Sequence, residues 1–281
     1  MNNSKDFSID KSKCIKCKEC IDVCSVRILE WSEGKQEVFF IKDAEDYCNK
    51  CGHCIAICKS KAVFLPEGNN DGLMDASNNW NNCGDIVKKL IKNRRSIRKY
   101  KATKISDHEI GKLIDIARYA PSASNAHQVD WLIYSDAEKI KEISRLTIEW
   151  MKNKLKAGDG SVSDRYVKVF SRFIREWNDG NDPICRNAPH FIIVHGPETG
   201  TIRHIDGIIA LDYFEFAAIS SGFGTCWIGL FYHVIEELYQ PMLEYISLPD
   251  GHVCYGAMIL GYPEYKYAYL PERKEANIEY R

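Results

Sequence analysis

The chain has 281 residues, of which 45% are hydrophobic and 27% charged, and its formal net charge is −1. This length and composition suit a water-soluble protein with one full core and one smaller module. The near-neutral charge argues against bulk nucleic-acid binding, and no apolar run reaches the roughly 20 residues of a membrane-spanning helix.

The first predicted element is a cysteine motif that occurs twice. Each cysteine of the second run lies 34 positions after its counterpart in the first (48 − 14, 51 − 17, 54 − 20 and 58 − 24). The two runs are Cys14, Cys17, Cys20 and Cys24, then Cys48, Cys51, Cys54 and Cys58. A repeated C-x2-C-x2-C-x3-C spacing predicts two [4Fe-4S] clusters within an internally repeated module.

The spacing also predicts how the ligands divide. Three closely spaced cysteines wrap one cluster, while the fourth of the same run ligates the other cluster. One cluster is then held by Cys14, Cys17, Cys20 and Cys58, and the other by Cys48, Cys51, Cys54 and Cys24. The motif resembles the bacterial two-cluster ferredoxin, except that Ser25 and Lys59 stand where proline usually follows the fourth cysteine.

Two other uses of these cysteines are weaker. A disulfide framework needs an oxidising compartment, and the first 13 residues are polar and charged, without the apolar region of a signal peptide. Zinc sites usually pair two short C-x2-C elements, which leaves the third and fourth cysteines of each run unexplained. We therefore expect iron–sulfur clusters in a reducing, cytoplasmic location, and an anaerobic host.

We predict three segments of α+β class. Residues 1–65 form the two-cluster ferredoxin-like domain, residues 66–85 a linker rich in asparagine, glycine and proline, and residues 86–281 a larger domain. The first domain is too small to be stabilised by apolar burial alone, so the clusters are expected to be its main stabilising element.

Helices and strands of the larger domain follow from hydrophobic periodicity. Ser106 and Glu109 form a capping box that begins an amphipathic helix, which Pro121 ends. A helix over residues 208–221 is apolar nearly all round and stops at Gly222, so it must be buried in a core or in a subunit interface. The predicted strands are residues 131–134, 191–194 and 257–260.

Four further segments offer groups for an anionic, aromatic ligand. They are residues 94–98, 120–131, 222–229 and 261–274. The first holds three arginines and a serine, suited to a phosphate, although alone it would more often be a solvated basic face. The second resembles a simple turn by itself, and the third has glycines for close backbone approach but lacks the dinucleotide-binding spacing. Each signal is weak individually.

Together, their order and content resemble the nitroreductase family of FMN proteins over residues 86–281, and the whole chain resembles the ferredoxin-fused nitroreductases. The resemblance implies a homodimer with a mixed sheet flanked by helices and FMN in two interface sites. It implies phosphate and ribityl contacts from Arg94, Arg95, Ser96, Arg98 and Arg273, contacts from the partner chain through Pro121, Ser122 and Asn125, and ring contacts at Trp227, Ile228 and Gly229.

One departure from the family concerns the loop after Asn125. The family usually has glutamine and then proline two and three positions later, whereas this chain has His127 and Gln128. A histidine beside a flavin could donate a proton or only pack, and a single histidine is weak evidence for acid–base work. We expect packing, and we assign no catalytic side chain, because the flavin itself carries the chemistry.

The predicted activity is an oxidoreductase that takes single electrons through the clusters from an external donor such as ferredoxin. It would pass electron pairs from FMN to an electron-poor acceptor such as a nitroaromatic, quinone or activated alkene. Two alternatives stay open: an NAD(P)H-dependent flavin reductase with peripheral clusters, and a non-enzymatic electron carrier or redox sensor. Residues 142–187 would cover the substrate, although we expect most of their aromatic side chains to lie in the core.

Overall fold

The computed structural model describes residues 7–66, 83–158, 162–199 and 203–281. Contacts between Cα atoms divide the chain into two compact units, residues 1–80 with 124–126, and residues 81–123 with 127–281. Most of the predicted linker lies outside the described residues, and its last three positions, 83–85, already belong to a helix.

The first unit consists of short elements. Its strands are β1 (Ser8–Ile9), β2 (Leu29–Ser32), β3 (Glu37–Phe40) and β4 (Val63–Phe64), and its helices are α1 (Glu19–Asp22), α2 (Ala44–Tyr47) and α3 (His53–Ile57). Strands β1 and β4 form one antiparallel pair, and β2 and β3 form another. A small core that includes Leu29, Val38 and Ile55 lies between them.

The sequence repeat extends to the backbone of this unit. Three pairs of residues 34 positions apart have positive φ angles: Lys16 and Lys50, Lys18 and Gly52, and Arg27 and Lys61. Residues other than glycine rarely adopt this conformation. The same strained turns therefore recur in both halves of the repeat, at the same places relative to the cysteines.

The second unit contains seven α-helices among its described residues. They are α4 (Cys83–Asn93), α5 (Asp107–Ala117), α6 (Ala137–Ala157), α7 (Asp164–Asn178), α8 (Arg203–Ser220), α9 (Gly229–Glu236) and α10 (Gln240–Ile246). The strands β5 (Asp130–Tyr134), β6 (His190–Pro197), β7 (Gly224–Trp227) and β8 (His252–Gly261) form one sheet in the order β5-β6-β8-β7. None of the helices in the described part of the chain is long and apolar enough to cross a bilayer.

This sheet corrects one detail of the predicted fold. All three strand pairings are antiparallel, whereas the sequence analysis expected a mixed sheet. The reason lies in the connections: two helices, α6 and α7, join β5 to β6, and α9 and α10 join β7 to β8. A pair of helices returns the chain to the edge it left, so the next strand runs in the opposite direction. The α+β class is confirmed.

The predicted strands and caps are found where expected. Residues 191–194 and 257–260 lie in β6 and β8, the two inner strands, and are almost completely buried. Helix α5 begins where predicted, because Ser106 Oγ accepts a hydrogen bond from the Glu109 N–H at 3.2 Å. The helix ends at Ala117, four residues before Pro121.

Helix α8 is buried on one face of the single chain rather than all round. Leu211, Phe214 and Ala218 are fully buried, whereas Ile205, Ile208 and Tyr213 are exposed by 44%, 37% and 40%. The buried face packs against α5 in one apolar cluster. The single chain therefore does not cover the apolar side chains on the other face of α8.

Candidate functional site

The first group of cysteines in the N-terminal unit surrounds Cys20. Burial, reinforced by the neighbouring thiolates of Cys58, Cys17 and Cys14, raises the pKa of Cys20 to about 11. The same four cysteines line one small cavity, whose other walls are largely apolar. The structure thus brings together the four cysteines that the spacing assigned to one cluster.

The second group surrounds Cys54 in the same way. Burial, followed by the thiolates of Cys24, Cys48 and Cys51, raises the pKa of Cys54 to about 12. A thiol with so high a pKa ionises near neutral pH only when a metal displaces its proton. Each group thus has the four-cysteine composition of a metal-thiolate site.

The geometry of these groups favours clusters over zinc. All 12 cysteines, each of them in a described residue, are free in the structure. Three thiolates around one tetrahedral zinc lie about 3.8 Å apart, yet no three cysteine sulfurs, all of them in described residues, lie within 4.8 Å of one another. The wider spread suits a cubane, which separates its thiolate ligands by the width of the cluster.

Backbone N–H groups also point at the cysteine sulfurs. Ile28 N–H donates to Cys24 Sγ at 3.4 Å, and Ala62 N–H donates to Cys58 Sγ at 3.2 Å. These two bonds are equivalent under the repeat of 34 residues. Such donors stabilise thiolate charge and tune the potential of a bound cluster.

In the second unit, three of the four predicted segments meet at the end of β7. The Ile97 N–H donates to Thr225 O at 2.8 Å, which fixes residues 94–98 beside this strand. A Cβ at Gly224 would come within 2.5 Å of Ile97 and 2.9 Å of Pro263, so glycine is required there. The close approach brings segments 94–98, 222–229 and 261–263 together.

The arginines of the first segment have different partners. Arg94 Nη1 lies 3.4 Å from the carboxylate of Glu215 in α8, which is buried and also accepts a hydrogen bond from Thr225 Oγ1 at 2.8 Å. Arg95 Nη1 donates to backbone carbonyls, but its buried Nε has no hydrogen-bond partner among the described residues. An anionic ligand would supply the hydrogen-bond acceptor that this buried guanidinium nitrogen lacks.

A cavity of about 360 Å³ lies beside this segment. It unites Arg98, predicted for the phosphate, with residues 227–229, predicted for the flavin ring. Two arginines that the sequence analysis did not select, Arg165 and Arg186, line it as well, together with the aromatic rings of Tyr166 and Phe173. The cavity thus offers both guanidinium groups and flat apolar surfaces.

The loop after α5 has a strained backbone. Ser124, Asn125 and His127 have φ angles of 52°, 55° and 46°. Ser122 Oγ accepts a hydrogen bond from the His127 N–H at 3.1 Å, and the Ala123 N–H donates to the carboxylate of Asp206 at 3.1 Å. Strain of this kind at several successive residues is typical of functional loops.

Other predicted residues lie away from the cavity of the single chain. Pro121, Ser122 and Asn125 do not line it, and Arg273 lies in the exposed segment after Pro263. The resemblance places the first three at a partner's flavin, so their position in one chain does not contradict that expectation.

The acidic residues of α8 are the main feature that the sequence analysis missed. Asp206 holds the loop after α5, and Glu215 holds Arg94. Both side chains are buried in a helix that is otherwise apolar on that face. A carboxylate is costly to bury without a partner. An acidic residue within the apolar stripe of a helix is therefore a sequence signal that could have identified Asp206 and Glu215.

The aromatic residues proposed as a substrate cover divide between core and cavity. Trp150 and Phe170 are buried in the core, as expected for most of them, whereas Tyr166 and Phe173 line the cavity with Arg98. Of the four remaining cysteines, Cys185, Cys226 and Cys254 are buried, and Cys83 is half-buried at the start of α4.

Comparison with known proteins defines the class. The model of the nitroreductase family matches residues 91–262, and that of the 4Fe-4S dicluster domain matches residues 13–62. The FMN reductase [NAD(P)H] of Bacillus subtilis (strain 168) is 26% identical over 200 residues, which cover 70% of this chain and 73% of that protein. A putative NADH dehydrogenase/NAD(P)H nitroreductase of Archaeoglobus fulgidus is 27% identical over 177 residues, covering 63% and 84% of the two chains.

A solved structure supports the fold. The crystal structure of a nitroreductase with bound FMN from Bacteroides fragilis matches with a TM-score of 0.51 and 23% identity, covering 68% of this chain and 94% of that one. Fold and sequence thus define an α+β oxidoreductase with a ferredoxin-type module at its N-terminal end. The chain belongs to the nitroreductase family, and the predicted fusion of the two domains is confirmed.

Proposed function

We propose that this protein is an FMN-dependent oxidoreductase that receives single electrons through two [4Fe-4S] clusters and reduces an electron-poor small molecule by two electrons. Its acceptor would be a nitroaromatic, a quinone or an activated alkene. The observation that carries the proposal is the cavity that unites Arg98 with residues 227–229, in a chain that also holds two groups of four cysteines.

The cavity fits a flavin nucleotide in size and in chemistry. Its volume of about 360 Å³ lies within the usual range for ligand pockets. Arg98, Arg165 and Arg186 offer positive charge for a phosphate, and the unsatisfied Nε of Arg95 offers a further donor nearby in the sequence. The names of two similar proteins, an FMN reductase and a nitroreductase with bound FMN, point to the same cofactor.

Bound FMN would supply the redox chemistry, since a flavin accepts electrons singly and delivers them in pairs as hydride. The residues of the chain would bind the flavin nucleotide and orient it. Arginines would hold the anionic end, Tyr166 and Phe173 would exclude water from the ring, and the backbone at residues 227–229 would border it. No side chain is assigned a proton-transfer role, because the single histidine of the loop, His127, is weak evidence for acid–base work.

We also propose that the functional unit is a homodimer. The exposed apolar face of α8, with Ile205, Ile208 and Tyr213, is the kind of surface that a second copy of the chain would cover. In such a dimer the strained loop with Pro121, Ser122 and Asn125 would reach the flavin of the partner.

Two further parts of the proposal concern organisation and location. The boundaries between the segments lie at 65/66 and 85/86, and the protein is located in the cytoplasm of an anaerobe.

An alternative donor is NAD(P)H, which the names of the two curated relatives mention. In that case hydride would enter at the flavin directly, and the clusters would be peripheral. A non-enzymatic electron carrier is a further alternative, and turnover of any small acceptor would count against it.

The first experiment measures cofactor content and the route of electrons in anaerobically purified protein. We expect about eight iron atoms and eight sulfides per chain, as two cubanes require, and one FMN. Flavin absorbance is then followed while reduced ferredoxin or NAD(P)H is added separately. Bleaching by ferredoxin that disappears in the Cys14→Ser/Cys48→Ser double variant, but persists in the control Cys83→Ser, supports the proposed route.

Other results would contradict the proposal in distinguishable ways. Fast bleaching by NAD(P)H that persists in the double variant would make the clusters peripheral. Absence of FMN would remove the proposed role of the cavity. As a direct test of the cavity, Arg98→Gln should release FMN during gel filtration, whereas the exposed control Arg118→Gln should retain it.

A further inference from the structure

A second constellation of ligand-type side chains lies in the sheet of the larger unit. Asp130, His195 and His252 come from three different strands, β5, β6 and β8. Their nearest carboxylate and imidazole atoms all lie within 4.8 Å of one another. We infer that these three residues form a binding site for a divalent first-row transition-metal ion, with Zn²⁺ as the representative ion.

The register of the strands explains why the residues meet. Asp130 lies directly opposite His195 in the pairing of β5 with β6. On the other side of β6, the register shifts between Val194 and His195, and Pro197 pairs with His252. A β-bulge re-aims the side chains beside it, and here it accompanies the convergence of side chains from three strands.

The distance between the two imidazole nitrogens matches that between ligands of one metal ion, and the carboxylate lies within a small side-chain movement of the same point. His195 Nδ1 and His252 Nδ1 are 3.0 Å apart, and His252 Nδ1 lies 3.7 Å from Asp130 Oδ2. Two nitrogens that each bind zinc at about 2.0–2.1 Å are roughly 2.8–3.4 Å apart for bond angles between right-angled and tetrahedral. The two imidazoles therefore already have the separation of chelating ligands.

The chemistry of the three groups selects the ion. Imidazole nitrogen is a borderline ligand, so a site with two imidazoles and one carboxylate favours zinc, iron, nickel or copper over magnesium and calcium, which prefer oxygen ligands alone. His195 is buried, while the Asp130 side chain is 61% exposed and that of His252 is 20% exposed. Solvent thus reaches one side, so an ion can enter and water can complete its coordination.

This site is separate from the proposed flavin cavity, because none of its residues lines the cavity with Arg98. A bound ion would link three adjacent strands of the folded sheet and would have no such site in the unfolded chain. Metal binding would therefore stabilise the folded unit by mass action. The rival interpretation is a hydrogen bond between the two imidazoles with no metal.

The test is calorimetric titration of Zn²⁺ into the cluster-loaded full chain, with intact visible absorption of the clusters as a check on the cysteines. We expect the wild type to bind one zinc equivalent more than His252→Ala. Asp130→Asn, at an exposed position that should not disturb folding, should weaken binding at least tenfold. The control His108→Ala removes an exposed histidine of α5 and should bind as the wild type does.

A second measurement uses Co²⁺ as a spectroscopic probe. Visible d–d absorption of nitrogen and oxygen coordination should appear with the wild type and the His108→Ala control, and should be absent with His252→Ala. If the wild type binds no more zinc than His252→Ala, or if Asp130→Asn binds it with unchanged affinity, the inference is overturned. Neither readout depends on flavin content or on activity.

Discussion

Protonation of the buried His190 should destabilise the protein at mildly acidic pH. His190 Nε2 accepts a hydrogen bond from the Ile105 N–H at 2.8 Å, and Nδ1 lies 2.8 Å from Ser135 Oγ. The ring must therefore be neutral, because a proton on Nε2 would face the amide hydrogen. Burial, followed by the positive charge of Lys104, lowers the pKa of His190 from 6.5 to about 4, against a smaller opposing effect of Asp107.

The sign and size of the effect follow from proton binding. Between pH 6.5 and 4 the unfolded chain binds a proton at this histidine and the folded chain does not, so stability falls as the pH drops through this window. Above pH 6.5 the full stability is present. Between pH 7 and pH 5 the loss from this residue is about 2 kcal/mol, or roughly 4–8 °C in the melting temperature of a domain of this size.

The assay is thermal unfolding at pH 7 and pH 5, with His190→Gln as the test variant and His108→Gln as the control. Glutamine can still accept the hydrogen bond from Ile105 but does not titrate. Between pH 7 and pH 5 the free energy of unfolding of His190→Gln should fall by about 2 kcal/mol less than that of the wild type. The exposed control His108→Gln should show the same fall as the wild type. Equal losses in the wild type and His190→Gln would refute the reasoning.

Three further predictions concern stability. Removal of iron by a chelator should unfold the N-terminal unit, because its core is small; hydrogen exchange should show lost protection over residues 7–66 but not over 83–281. Phe231→Ala, at a fully buried ring 5.1 Å from that of Phe191, should cost about 3–5 kcal/mol in urea unfolding, whereas the exposed Tyr269→Ala should cost nothing measurable. Ser106→Ala should remove the cap of α5 and lower the free energy of unfolding in urea by about 1 kcal/mol. A decrease no greater than that of Tyr269→Ala would contradict the capping role.

Local patterns predicted the elements well. The cap at Ser106 and the apolar runs of β6 and β8 depend on residues close together in the chain, and each was found where expected. The antiparallel direction of every pairing was missed, because strand direction depends on how many helices connect two strands. For α8 the sequence indicated burial in a core or in a subunit interface, but a sequence pattern alone does not say which face of the helix the chain itself covers.

The sequence by itself determined the two modules and the division of eight cysteines into two groups. The cysteine division follows from spacing within two short runs, where a few bonds fix the geometry, whereas the grouping of Arg98 with residues 227–229 came from the family resemblance. Only the tertiary structure decided that Arg165 and Arg186 join Arg98, that Glu215 holds Arg94, and that Asp130, His195 and His252 converge. Those contacts join residues on separate elements, and their positions depend on how the sheet and helices pack rather than on any local pattern.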